Sequence, residues 1–249
     1  MVVQTERRDR TLIVRMARPE KRNAVDRAMA DALEAAFNEL EDDDDLWVGI
    51  LTGSDTAFSA GTDLHEGRSP ATPRGGQYGI IRRQRTKPLI AAVEGLALGG
   101  GFEMVLACDL VVASDTAYFG LPECKRGVIP TCGGLFRTAR TLPLNVAREL
   151  LLTGDNLDAA RAERLGLVNR LVPAGTVVDA AVQLAERICH NAPVSVRQSL
   201  VAVDAATAGD DRQLWATSDA CSEIVLTSDD AREGVRAFFA KRSPTWSGR

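Results

Sequence analysis

Apolar and polar positions alternate at the start of the chain. Over residues 2–16, Leu12, Val14 and Met16 fall on one face of an extended segment, which predicts a strand interrupted at Pro19. From Asp26 to Leu40 the period changes: Met29, Leu33, Ala36, Phe37 and Leu40 recur at helical spacing, with Asp26 placed to cap the first turn. The acidic run at 41–45 follows and opposes the helix dipole, so it marks the helix end. Adjacent carboxylates with neither an intervening glycine nor a return ligand do not match a calcium loop, and the run reads as a solvated turn. Residues 47–52 (WVGILT), 89–93 (LIAAV) and 110–113 (LVVA) are short β-branched apolar runs, each the length of a buried strand. Residues 99–108 read as a helix opened by glycines. Strand, helix and strand at this spacing predict an α/β fold with crossovers. Residues 64–85, with Ser69, Pro70, Pro73, Gly75 and Gly76, read as a long mobile connection that ends in a basic helical turn at 82–85. Beyond Leu142 helical spacing dominates, over 146–152, 158–165, 177–189, 194–206, 213–225 and 229–240. Division into a core over 1–190 and a C-terminal helical region over 191–249 follows.

Bulk properties narrow the function classes. The 249 residues are 45% hydrophobic and 26% charged, an ordinary globular balance with length for a sizeable core. A net charge of -4 supplies no electrostatic reason to expect nucleic acid. The five cysteines, Cys108, Cys124, Cys132, Cys189 and Cys221, are scattered without a C-x-x-C pair, so a disulfide framework is not expected and a reducing interior suits them. Charges interrupt the N-terminal stretch too closely for a signal peptide, and no uncharged run reaches membrane-spanning length. The expectation is a cytoplasmic protein without membrane contact.

Several chemistries lack their motifs: no phosphate-binding loop, dinucleotide fingerprint, G-x-S-x-G elbow or H-E-x-x-H is present. Only His65 and His190 occur. His65 beside Glu66 reads as a surface residue. Three other segments carry chemistry. The triple glycine of GLALGGGFE (95–103) lies between a strand and an apolar helix, where glycines let the backbone approach a ligand and the helix start aims free N–H groups at it. Glu103 follows one turn later among Phe102, Met104, Val105 and Leu106, a costly place for a carboxylate without a partner. That position suits a general acid or base beside an anion-binding amide. In FSAGTDL (58–64) Gly61 relaxes the backbone so that the Ala60 N–H can serve as a second donor. In FGLPECKRGVIP (119–130) Pro122 fixes the geometry before a second carboxylate, Glu123, which taken alone reads as a surface or capping residue.

Together these segments resemble the crotonase superfamily, also called the enoyl-CoA hydratase/isomerase family. The likeness runs from RPEKRNA (18–24) through AFSAGTDL, AVEGLALGGGFE, ACDLVVAS and FGLPE to LGLVN (165–169) and FFAK (238–241).

The resemblance implies an α/β spiral of repeated β-β-α turns, closed by C-terminal helices that assemble homotrimers or hexamers. It implies a thioester enolate held by two backbone N–H groups, at Ala60 and Gly100. Glutamates in both places, Glu103 and Glu123, imply addition of water across the C2=C3 bond of a 2-enoyl-CoA. Glu103 would deprotonate the water and Glu123 protonate the α-carbon, with neither cofactor nor metal. Coenzyme A, part of the substrate, would lie along Lys21, Ala24, the backbone of Ala60, Gly61, Thr62, Asp63 and Leu64, and Gly99, with Phe238 and Lys241 contributed by a neighbouring subunit. Arg22 and the arginines of 82–85 are candidate phosphate contacts, the cluster also reading as a solvated face. Thr62 stands where many members carry alanine, and residues 64–85 differ from the usual acyl-pocket segment. The ECKRG stretch also occurs in members acting on carnitine-type acyl groups. An isomerase, a carnitine-type dehydratase and a catalytically silent acyl-CoA binder are the alternatives on the same fold.

Overall fold

Period-two burial within the strands sorts the core into two layers. In the computed structural model, which describes residues 1–207 and 211–245, Leu12, Val14, Leu51, Ala91 and Ala113 point into one apolar cluster. Their neighbours Ile13, Ile50, Ile90 and Val112 point into a second, on the opposite face. Both faces of these strands are buried, which is why they read as near-continuous apolar runs. The helix Val177–Cys189 covers the second cluster with Val177, Ala181 and Ala185.

The strands form a six-stranded sheet in the order Val3–Arg8, Thr11–Met16, Val48–Thr52, Leu89–Val93, Leu110–Ser114, Arg170–Val172. Its first pair is antiparallel and the remaining pairs are parallel. The segment expected as one strand is therefore a hairpin, with Asp9 at φ 51 in its turn. A second sheet has the order Asn156–Asp158, Tyr118–Gly120, Leu96–Leu98, Ala57–Ser59. The chain places a strand in the first sheet, then one in the second, then a helix, and repeats: Val48–Thr52 with Ala57–Ser59, Leu89–Val93 with Leu96–Leu98 and helix Gly100–Val105, Leu110–Ser114 with Tyr118–Gly120 and helix Gly134–Thr141. This is the β-β-α spiral. Three helices, Pro193–Thr207, Asp211–Leu226 and Asp229–Phe239, follow.

Most helix starts lie where the sequence placed them. Asp26 caps the helix Arg27–Asp42 by accepting from the Met29 amide at 2.8 Å, and Asp158 caps Ala159–Arg164 by accepting from Arg161 N at 2.7 Å. Among the described residues Cys108, Cys124, Cys132 and Cys189 are free thiols; the side chain of Cys221 lies outside the described residues. No helix among the described residues is long and apolar enough to cross a membrane.

Residues 64–85 are not the mobile connection their composition suggested. The strands Ala71–Thr72 and Gly76–Gln77 pair antiparallel, and Tyr78 is 1% exposed. A buried carboxylate, Glu34 on the first long helix, ties the segment down. It accepts from Thr72 Oγ1 (2.7 Å), Arg74 N (2.8 Å), Gly75 N (2.9 Å) and Arg83 Nη2 (2.7 Å). Burial pushes its pKa up, but these donors prevail and hold it below the ordinary value. The arginines at 82–85 are consumed in the same way, and no helical turn forms there. Arg83 pairs with Glu34, Arg85 pairs with Asp109 at 2.7 Å, and Arg82 lies 3.8 Å over the Trp215 ring. They brace the fold, and none of the three lines the cavity described below. Replacing Glu34 by Ala strands the buried Arg83 charge, and we expect a loss of about 3 kcal/mol in denaturant unfolding together with faster amide exchange over 70–83. Unchanged exchange in that segment would show that Glu34 is not its anchor.

Candidate active site

The parallel strands of the second sheet end at one edge, and each delivers a functional group just past its C-terminus. Ala57–Ser59 pairs with Leu96–Leu98, which pairs with Tyr118–Gly120, all three running the same way. The residues that follow them are Ala60–Thr62, Gly99–Gly100 and Pro122–Glu123. Carboxyl ends of parallel strands are where α/β sheets place ligands. A cavity of about 1660 Å³ opens at this edge, with Glu103 and Glu123 both on its wall.

Glu103 lies on the helix Gly100–Val105 and is 2% exposed. Its Oε1 accepts from the Cys132 amide at 2.7 Å and the Gly134 amide at 2.8 Å. Burial pushes the carboxyl up to about 7, against the pull of those two amides. Glu123 lies on the 3-10 turn Pro122–Arg126. Burial, and then the negative charge of Glu103, push its pKa up to about 8. Its Oε2 is buried without a hydrogen-bond partner among the described residues. The two carboxyls therefore divide one proton near neutrality: amide donors favour the ionised form at Glu103, and the proton rests on Glu123.

Two main-chain amides face the same space. Gly100 is the first residue of its helix, so no carbonyl lies one turn back to receive its N–H. Gly61 packs so closely behind it that a Cβ there would come within 2.6 Å of Gly100 N. In the neighbouring segment the Ala60 amide, expected as the second donor, donates instead to the Arg22 carbonyl at 2.9 Å. The Gly61 amide donates to Ser59 Oγ at 3.1 Å and the Asp63 amide to the Val25 carbonyl at 2.9 Å. Thr62 N is left as the one amide of 60–63 without an acceptor among the described residues. The sequence missed this because the choice depends on which face of the loop pairs with residues 22–25.

Of the other predicted substrate contacts, Lys21, Arg22, Ala24, Ala60, Thr62, Asp63, Leu64, Gly99, Gly100 and Phe238 line the cavity. Gly61 lies behind the wall and Lys241 outside it. Phe238 reaches this chain's own cavity, with Arg126 5.4 Å above its ring. Asp63 is structural: burial pushes its carboxyl up, but the His65 amide and Arg18 keep it below the ordinary range. The Cys132 and Gly134 amides that hold Glu103 were also missed, although the paired glycines at 133–134 mark the turn that presents them.

A family model described as enoyl-CoA hydratase/isomerase matches residues 6–249. The chain belongs to this family. Over 94% of this chain and 90% of its counterpart it is 38% identical to the mevalonyl-coenzyme A hydratase sidH of Aspergillus fumigatus. It is 37% identical to the enoyl-CoA hydratase EchA19 of Mycobacterium tuberculosis, over 98% and 96% of the two chains. The crystal structure of a carnitinyl-CoA hydratase from Mycobacterium avium superposes with a TM-score of 0.95 at 43% identity, over 100% of this chain and 99% of that one.

Burial of a second acidic group in this enoyl-CoA hydratase/isomerase family member has a consequence for stability. The folded pKa of Glu123, about 8, exceeds the ordinary 4.5. Its contribution is therefore fully present below pH 4.5 and is lost as pH rises from there to about 8. Glu123→Gln should match the native protein in thermal unfolding near pH 4 and be more stable than it at pH 8.5, on the order of 2 kcal/mol. Equal stability at both pH values would place the carboxyl in a solvated environment.

Proposed function

We propose that this protein is a hydro-lyase that adds water across the C2=C3 bond of a 2-enoyl-CoA thioester, with Glu103 and Glu123 as its acid/base pair. The observation that carries this reading is the placement of two buried carboxyls, sharing one proton, beside two unengaged main-chain amides. An isomerase needs one group to move one proton. Hydration needs a base for water and an acid for carbon together, and both are present.

The thioester oxygen accepts from the Gly100 and Thr62 amides, which draws electron density from C3. The Glu103 carboxylate, aimed by the Cys132 and Gly134 amides, removes a proton from water as the hydroxyl oxygen bonds to C3. Charge then develops on the thioester oxygen, where fixed donors stabilise it; one such donor is worth about 10²–10³ in rate. Glu123 delivers its proton to C2, and transfer of a proton from Glu103 to Glu123 restores the pair. Every step draws on the chain's own groups, without a cofactor or metal.

The relatives named for mevalonyl-CoA and carnitinyl-CoA favour a second reading of direction and substrate: dehydration of a 3-hydroxyacyl-CoA of carnitine type by the same groups in reverse. The wall residues Lys21, Arg22 and Ala24 suit the coenzyme A moiety, at a cytoplasmic site. The C-terminal helices expose Val194, Ile224 and Leu226 at 68%, 73% and 59%. Apolar exposure of that order fits burial between subunits of a homotrimer or hexamer, and light scattering should return three or six times 26.7 kDa; a monomer at micromolar concentration would exclude this assembly.

Loss of the conjugated thioester absorbance of crotonyl-CoA tests the central claim. Glu103→Gln and Glu123→Gln should each lower kcat by about 10²–10⁴ while leaving thioester binding largely intact. The native pH profile of kcat/KM should be bell-shaped, falling below about 7 as Glu103 protonates and above about 8 as Glu123 ionises. Undiminished turnover in either variant removes that residue from the mechanism.

A further inference from the structure

Three hydroxyl groups meet on the inner wall of the cavity. Thr62 Oγ1 lies 2.6 Å from Tyr78 Oη and 2.9 Å from Ser69 Oγ, and Ser69 Oγ lies 2.9 Å from Tyr78 Oη. All three residues share the cavity with Glu103 and Glu123. Tyr78 is buried with its hydroxyl against Gly100, where a Cβ would come within 2.3 Å of it. The triangle is thus next to Gly100, whose amide is assigned to the thioester oxygen.

A hydroxyl carries one proton and two lone pairs. A closed triangle uses three protons and three lone pairs; the Cys132 thiol, which also hydrogen-bonds Ser69 and Tyr78, is a weak donor to at most one of the three that remain, so at least two acceptor sites are left. Surplus acceptors that face a cavity are matched by a ligand group that brings a proton. An alkyl chain laid against them would displace water and return no hydrogen bond, a cost borne by the complex. An ammonium group would supply protons but also a positive charge beside Glu103 and Glu123. That charge would favour both carboxylates and strip the proton that Glu123 must deliver. A neutral hydroxyl satisfies the oxygens and leaves the pair unchanged.

We propose that Thr62, Ser69 and Tyr78 form a subsite for a hydroxyl group on the acyl chain beyond C3, so that short hydroxyacyl thioesters are preferred over straight alkyl ones. This rests on the hydratase reading of the same cavity, and the test separates the two. Saturated thioesters do not react, so their binding reports the subsite alone. Dissociation constants of 4-hydroxybutyryl-CoA and pentanoyl-CoA, and of 5-hydroxypentanoyl-CoA and hexanoyl-CoA, are compared by titration calorimetry; within each pair a methyl replaces the hydroxyl. At least one hydroxy ester should bind the native protein about tenfold tighter than its alkyl partner. Ser69→Ala and Tyr78→Phe should each bring that ratio to within about twofold, whereas a merely structural role would weaken both members of a pair alike. The ratio in the native protein decides alone if either variant fails to fold. Alkyl esters binding as tightly as hydroxy esters, a 4-trimethylammonio-butyryl ester binding more tightly than either, or a ratio unmoved in both variants overturns the subsite. Absence of hydration of both crotonyl-CoA and 5-hydroxypent-2-enoyl-CoA, with the preference intact, overturns the hydratase reading and leaves the subsite standing.

Discussion

Removing the Glu103 carboxyl from water is the constraint around which this site is organised. Burial alone would leave it a neutral acid, unable to act as a base. The Cys132 and Gly134 amides, at 2.7 and 2.8 Å, recover part of the lost solvation and fix which oxygen stays bound. They belong to a turn some thirty residues downstream, so the carboxyl also ties the helix Gly100–Val105 to the next turn of the spiral. Its charge then acts on Glu123, whose proton is retained partly because a second anion nearby is unfavourable. One buried carboxyl thus sets the protonation of the other, and the proposed acid and base roles rest on the difference in their amide partners.

The proposed oxyanion site follows from sheet geometry more than from helix dipole. The helix Gly100–Val105 is six residues long, and its macrodipole is correspondingly small beside the direct effect of a single amide. What matters is that two parallel strands, Ala57–Ser59 and Leu96–Leu98, end together, so that the backbone leaving each one passes the same point. The pairing of residues 22–25 with 60–63 then consumes the amides of Ala60 and Asp63 and points Thr62 the other way. Selection of the donor is settled by a β-bridge between Val25 and Thr62, whose partners are 37 positions apart in sequence.

Legibility in the sequence follows the same division. The strands 48–52, 89–93 and 110–114 were readable because burial on both faces leaves little but β-branched and small apolar residues. Helix starts at Asp26 and Asp158 were readable because capping is local. Glu103 was readable because it follows a glycine-opened helix start in otherwise apolar surroundings, whereas Glu123, by itself a surface or capping residue, became legible only through the family resemblance. The hairpin turn at Asp9 was hidden because the polar run 4–11 around it carries no glycine, proline or asparagine to signal a turn. The segment 64–85 was misread for a deeper reason: its Ser, Pro and Gly content describes local freedom, whereas its order comes from Glu34 and Arg83, the latter 49 residues away from its partner.

That misreading falls where substrate choice is decided. The proposed hydration uses main-chain amides and two carboxyls, which short motifs can encode. Choice of acyl group depends on side chains that arrive by tertiary packing. Tyr78 is the case in point: it adopts φ 58, an uncommon conformation for a residue with a ring, and it is held there by burial against Gly100 and by hydroxyl partners at Thr62 and Ser69. A strained residue at the cavity wall persists only where its surroundings determine it. Those surroundings include the Glu34 anchor, which secures the two-stranded turn immediately before Tyr78. In the proposed subsite, selectivity would therefore be supported from behind the cavity wall, through the buried Glu34–Arg83 ion pair, neither member of which lines the cavity.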